Sequence, residues 1–295
     1  MAKEKIQKKA PGSVVARSED GTIQITFNIP FSEIEKSRSE VVNKYADEIE
    51  IPGFRKGKAP QNLVKEKIPE NVFLEKTLSL ILPNLLKESL EKFKIAPAIY
   101  PKFELLKANE NENWEIRATT CEIPKVDVGD YKKLIVDKLK SKTIWTPDKG
   151  KDEKSSTKQE KEEEVIKTLL SESKIKIPRI LIDEEVNSKL SKLLERLEKL
   201  GLSLESYLNS IGKTADTLRI EYRKQSEDSI TLELVLSKIA QLEKIEVDQK
   251  DLDSAINAAS SDPKTAEELD KSDRRKFIEV ILKRRKALDF LVSLV

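Results

Sequence analysis

Apolar residues recur at every second position in a few short stretches of the chain and at every third or fourth position in most of the rest. Residues 13–30, SVVARSEDGTIQITFNIP, carry the period of two. Two alternating runs flank Glu19-Asp20-Gly21, and Asp-Gly between alternating runs is a strong hairpin signal. Ile23, Ile25, Phe27 and Ile29 then share one face of the second strand. Ser32, with Glu35 three residues on, predicts a capped helix over 32–48, with Ile34, Val41, Val42 and Tyr45 inward. Residues 49–59 break the pattern. Pro60 can open a short helix, PQNLVKEK. Residues 70–94 form one long helical pattern through Val72, Phe73, Leu78, Ile81, Leu82, Leu85, Leu86 and Leu90. Residues 98–106 and 113–122 predict two more strands around the polar turn ANENEN. Residues 1–124 therefore read as an α+β unit in which 1–12 is a flexible tail.

A second organisation follows. Residues 125–140 read as an extended connector. Residues 141–164 hold six Lys and seven Asp/Glu, too little apolar surface to offset ordering entropy, and read as a charged linker. From 165 to 295 the pattern is helical throughout. Pro178 precedes Val186, Leu190, Leu193, Leu194, Leu197 and Leu200 at helical spacing. Gly201 is placed to close that helix. Thr214 can cap the next helix, through Leu218 to Leu242. Asp262-Pro263 is a helix-start signal, and a last helix carries Phe277, Ile278, Ile281, Leu282, Leu288, Leu291, Val292 and Val295. Helical apolar stripes usually face a core, but Leu200, Leu202, Leu204, Tyr207 and Leu208 crowd one helix–helix turn. A partly exposed apolar surface is the sharper reading there.

Composition narrows the chemistry. Charged residues make up 37% of the 295-residue chain and aromatics 5%, yet the net charge is only +2. Any affinity for nucleic acid must come from a local patch. There is no histidine and a single cysteine, Cys121. Imidazole and thiolate metal sites and His-based triads are thereby excluded. No disulfide can form within the chain, and a reducing compartment fits. Cys121 reads as a small buried strand residue. The basic N-terminus is followed by no apolar run, and no segment approaches a membrane span, so a soluble cytoplasmic protein is expected. Phosphate-binding glycine loops and calcium loops are absent from the sequence, and no catalytic residues or cofactor are expected.

One stretch does not fit a plain helical protein. IPGFRKGKAP, residues 51–60, holds two of the eight glycines, two of the twelve prolines and three cations around one Phe. Gly53 and Gly57 allow backbone angles that other residues resist, and Pro52 and Pro60 stiffen the ends. Over residues 53–67, Arg55, Lys56, Lys58, Lys65 and Lys67 against Glu66 give a local net charge of +4. A solvated turn explains the glycines and lysines. It leaves Phe54 unexplained, unless that ring tucks under its own loop. An aromatic beside Arg is instead the composition of an interface anchor, and the cations suit phosphates or carboxylates on a partner.

These residues also carry a resemblance. GFRKGKAP resembles the signature G-F-R-x-G-x-x-P loop of bacterial trigger factor, the ribosome-associated chaperone family, with Gly53, Phe54, Arg55, Gly57 and Pro60 in the motif positions. IKIPRILIDEEV, 175–186, and SSDPKTAEEL, 260–269, are similar to patterns in the family's helical domain. The resemblance implies an α+β ribosome-binding domain followed by an elongated all-α chaperone domain with arm-like helices forming a cradle. It implies docking at the large ribosomal subunit, on protein L23 and adjacent ribosomal RNA, through Gly53, Phe54, Arg55, Lys56, Gly57, Lys58 and Pro60. Unfolded nascent polypeptides are the implied clients, held without ATP, and Leu197, Leu200, Leu202, Leu204, Tyr207, Leu208, Phe277, Ile281 and Phe290 are the candidate client contacts. Typical members insert a prolyl isomerase domain where this chain has only residues 141–164, so no isomerase activity is carried over. Some members form homodimers, and the sequence leaves the oligomeric state open. The rival readings are a ribosome- or RNA-binding module without chaperone action, a residual isomerase, and a structural helical adaptor.

Overall fold

The structure is a computed structural model that describes residues 5–10, 12–48, 54–55, 60–109, 111–142, 158–173, 175–259 and 272–294. The chain divides into two compact units, Met1–Ile123 with Pro178–Leu181, and Pro124–Ile177 with Ile182–Val295.

The first unit is built on a five-stranded antiparallel sheet. Its strands are β1 (Lys5–Ala10), β2 (Ser13–Arg17), β3 (Thr22–Ile29), β4 (Lys102–Lys107) and β5 (Trp114–Cys121), in the spatial order β1-β2-β3-β5-β4. The expected hairpin is β2–β3. Its turn closes through the Gly21 N–H on the Ser18 carbonyl, and Gly21 adopts φ +86°, where glycine is favoured. Asp20 Oδ1 accepts from the Thr22 N–H and pins the start of β3. Ile23, Ile25, Phe27 and Ile29 are all buried, and the β3–β5 register sets Ile25 opposite Ala118, Phe27 opposite Ile116 and Ile29 opposite Trp114. The apolar faces of the two central strands thus coincide. Burying each such side chain contributes roughly 1.5–3 kcal/mol. Residues 5–10, placed in a tail by the sequence reading, pair with β2 instead, with a shift of register between Gln7 and Ala10.

Three helices complete this unit: α1 (Phe31–Glu48), α2 (Gln61–Lys67) and α3 (Glu70–Phe93). Helix α1 does not begin at a Ser32 cap. The Pro30 carbonyl already accepts from the Glu33 and Ile34 N–H groups, and the Phe31 N–H is taken by the Asn113 side chain. Ile34, with Ile81, Leu82 and Leu86 of α3, joins the sheet core. Helix α3 runs unbroken past Pro83 and ends at Lys94, whose left-handed backbone lets the Ile95 N–H reach the Leu90 carbonyl. A second, smaller cluster holds Val41 and Val42 of α1, Val64 and Ile68 of the α2 segment, and Phe73 of α3.

The second unit is helical: α4 (Tyr131–Lys142), α5 (Lys158–Glu172), α6 (Arg179–Lys199, from Ile182 onward), α7 (Leu204–Ser210), α8 (Ala215–Leu242), α9 (Gln249–Ala259) and α10 (Ser272–Ser293). Two expectations change here. The extended connector becomes helix α4 from Tyr131 on, because Ile135 is fully buried against Val165, Val235 and Leu291. The charged linker ends earlier, since α5 begins at Lys158 and lays Val165 and Leu169 into the same core. Residues 143–157, the Asp262-Pro263 signal and Val295 lie outside the described residues. The stop and start around α7 form as expected. Gly201 takes φ +67°, and the Leu202 N–H returns to the Leu197 carbonyl. Ser203 caps α7, and Thr214 with Thr217 forms a reciprocal capping box on α8.

Candidate functional site

Residues 49–59 join α1 to α2, and the start of α2 has a core of its own. Val64 is fully buried and Ile68 nearly so, in the cluster that also takes Val41, Val42 and Phe73. Gln61 Nε2 donates to Asn43 Oδ1 at 2.9 Å, tying the start of α2 to α1. Pro60 occupies the N-cap position of α2 with extended ψ, which suits a residue that lacks the N–H a helix start leaves unbonded anyway. Phe54 stands 43% exposed beside an exposed Arg55. Lys65 and Lys67 are exposed in the last turn of α2, where the helix dipole favours cations. Gly53, Lys56, Gly57 and Lys58 lie outside the described residues.

The second candidate region is the α6–α7–α8 turn. Leu200 is 65% exposed, and Leu202 and Leu204 are exposed. Tyr207 and Leu208 are half-buried. Leu197 is buried and supports this segment from within. The helical stripe read from the sequence includes Leu194 but neither Ile211 nor Ile220; all three are exposed, Ile220 most of all. A signal existed for Ile220. It follows Leu218, which is buried, by two residues, or about 200° around a helix, so the two cannot share a face. On α10, Phe277 and Ile281 are exposed together with Val280, which spacing also joins to them. Phe290 is different: it is half-buried on the helical core, with the Lys132 ammonium 5.4 Å from its ring centroid.

The remaining polar constellations are structural in character. Tyr131 donates its hydroxyl to Glu243, and Lys132 Nζ lies 2.7 Å from the same carboxylate. Burial, reinforced by Glu243, pushes the Tyr131 phenol up to about 12, while the bonds from Lys132 and Tyr131 hold Glu243 below its usual range. Burial, with the Asp20 charge, pushes the Cys121 thiol up to about 11, which makes it a poor nucleophile. Among the described residues no group of three or more Cys, Asp or Glu side chains is placed to hold a metal ion, and no helix is long and apolar enough to cross a membrane.

Comparison with known proteins decides the family. Residues 13–147 match the family described as "Bacterial trigger factor protein (TF)", and residues 148–293 match "Bacterial trigger factor protein (TF) C-terminus". The chain belongs to the trigger factor family. The two matches abut, so no other domain intervenes between them. Trigger factor of Streptococcus uberis is 31% identical over 120 residues, which is 41% of this chain and 28% of that protein. Trigger factor of Caldanaerobacter subterraneus subsp. tengcongensis is 28% identical over 128 residues, 43% of this chain and 30% of that protein. The chain thus matches less than a third of the length of these relatives. A solved structure described as "Promiscuous Substrate Recognition in Folding and Assembly Activities of the Trigger Factor Chaperone" superposes with a TM-score of 0.62 over 99% of both chains, at 14% identity, a likeness of fold. The sheet unit followed by a mostly helical unit is the trigger factor fold.

Proposed function

We propose that this chain is a ribosome-associated holding chaperone that works without ATP and without prolyl isomerase chemistry. The first unit docks beside the nascent-chain exit through Phe54, Arg55 and the cations around them. The helical unit holds unfolded polypeptides against its exposed apolar side chains, weakly enough for release as the client buries its own apolar surface. The observation that carries the reading is Phe54, an aromatic anchor left 43% exposed beside Arg55 on a loop whose base has its own core. Such a pairing of ring and guanidinium is typical of the few residues that dominate an interface. Membership of the family and the abutting of its two matched parts support the rest. L23 and neighbouring RNA as the docking partners, the cytoplasmic location and any homodimer belong to the same reading.

The test is co-sedimentation with ribosomes across a salt series, for the intact chain and for Phe54→Ala/Arg55→Ala. The intact chain should pellet with large subunits and the variant should remain in the supernatant, with a salt dependence that reports the charged share. Equal behaviour of the two would reduce the loop to a stiff turn. Suppression of aggregation of a denatured test protein by the intact chain separates a chaperone from an RNA-binding module, which would give none.

A further inference from the structure

The first unit carries a cavity separate from the loop tip. It has a volume of about 220 Å³ and is lined by Val41, Lys44, Tyr45, Lys76, Ser79 and Leu80, between α1 and α3. Val41 and Leu80 make an apolar floor. Lys44 and Lys76 are exposed at its rim, beside the half-buried Tyr45. Among the described residues no carboxylate lines it and neither lysine forms an ion pair. Ser79 donates its hydroxyl proton to the Lys76 carbonyl at 2.8 Å, which leaves its exposed oxygen able to accept from a partner. Small-molecule sites usually run to roughly 300–1,000 Å³, so this cavity suits one group of a larger partner. Two unpaired ammonium groups recognise phosphate as point charges. An aromatic ring beside apolar side chains can take a base, the means by which unpaired nucleotides are bound without sequence preference.

We propose that this cavity is a nucleotide subsite: Lys44 and Lys76 hold a backbone phosphate of unpaired RNA, and Tyr45, Val41 and Leu80 take the adjoining base. The subsite deepens the ribosome-docking reading and rests on it for its biological setting, because α1 runs from Lys44 and Tyr45 straight towards the loop that carries Phe54. Phosphate neutralisation predicts a salt-dependent affinity with a slope of about 0.7 per cation on a single strand. The ring contributes a salt-independent remainder.

The experiment measures binding of a fluorescein-labelled ten-nucleotide single-stranded RNA to the full chain by anisotropy, across a salt series. It compares the parent, Lys44→Gln/Lys76→Gln and Phe54→Ala/Arg55→Ala, with poly-glutamate as a second probe and ribosome co-sedimentation run in parallel. Both lysines are exposed, so the glutamine variant should keep its circular dichroism and melting behaviour. The expected result is an affinity for RNA about tenfold weaker in the lysine variant, with the salt slope reduced by about 1.4, while the loop variant keeps most RNA affinity and loses the ribosome. RNA affinity that is unchanged in the lysine variant, or absent in the parent at low salt, overturns the subsite. Poly-glutamate binding as tightly as RNA with the same lysine dependence also overturns it, in favour of an acidic peptide. Lysine-dependent RNA binding by a parent that fails to pellet with ribosomes upholds the subsite and removes the docking reading instead.

Discussion

Helix α10 and the α1–loop–α2–α3 region are both rich in cations, and they use them in opposite ways. Helix α10 has seven Lys and Arg residues in 22. Most are consumed inside the unit. Arg275 pairs with Asp253, Arg284 with Glu233, Arg285 with Glu162 and Lys286 with Asp251, at 2.6–2.8 Å, so α10 is tied to α9, α8 and α5. In the first unit Arg55, Lys65, Lys67, Lys44 and Lys76 have no ion pair among the described residues. Counting charge along the sequence does not separate the two, since α10 and residues 53–67 each carry a net charge of +4. Pairing does, because a cation already bonded to a carboxylate has little field left for a partner. What marks a docking surface is uncompensated charge, and that is a property of the fold.

The contrast can be broken most severely from beneath. Ile68 is buried in the small core of α1, α2 and α3, and Ile239 is fully buried in the helical core. Truncating either to Ala should cost about 2–5 kcal/mol, measured by urea unfolding with Trp fluorescence and circular dichroism. The consequences should differ. Ile68→Ala should lose ribosome co-sedimentation while suppression of aggregation persists, and Ile239→Ala should do the reverse. If either variant lost both activities together, the two surfaces would not be separable.

A pH titration sharpens the comparison next, because only the helical unit carries a strongly raised phenol. Tyr131 titrates near 12 in the folded state, against about 10 for an ordinary tyrosine. Between those values the unfolded chain binds fewer protons than the folded one, so stability falls as pH rises through that window and is full below about 10. Tyr131→Phe should flatten the alkaline slope of unfolding. A slope unchanged in the variant would mean that other groups set it.

How much of this was legible before the structure depends on where each determinant sits in the chain. The Asp-Gly hairpin, the Gly201 stop and the Thr214 cap are all local, and each formed as read. Phe54 and Arg55 stood out because a ring beside an Arg has no ordinary use in a glycine turn. The misreadings came from distant partners. Asn113, 82 residues away, bonds the Phe31 N–H and displaces the expected Ser32 cap. Strand β1 has almost no apolar pattern of its own and exists because β2 offers it an open edge. Helix α4 is read as an extended connector from the sequence, yet Asp130 is a visible start signal: its Oδ1 accepts the Lys133 N–H. The unpaired state of Lys44 and Lys76 could not be read at all, since acidic neighbours lie close to both in sequence.

The smallest effects decide whether pairing is the right criterion. Removing Arg55, Lys65 and Lys67 together should weaken ribosome binding about tenfold, or 1.4 kcal/mol, and should leave thermal stability within about 0.5 kcal/mol, since exposed unpaired cations hold nothing in the fold. Removing Arg284 should do the opposite on a smaller scale. Its Nη1 meets Glu233 at 2.7 Å and its Nε donates to Ser237 at 2.8 Å. The Glu233 carboxylate is about half exposed, so solvent screens the pair and the loss should stay within roughly 0.2–1 kcal/mol. Ribosome binding should not change. Differential scanning calorimetry and co-sedimentation on the same two variants read both quantities. If Arg284→Ala weakened ribosome binding as much as the triple variant, charge density would govern docking after all. Partnered cations on α10 would then belong to the binding surface.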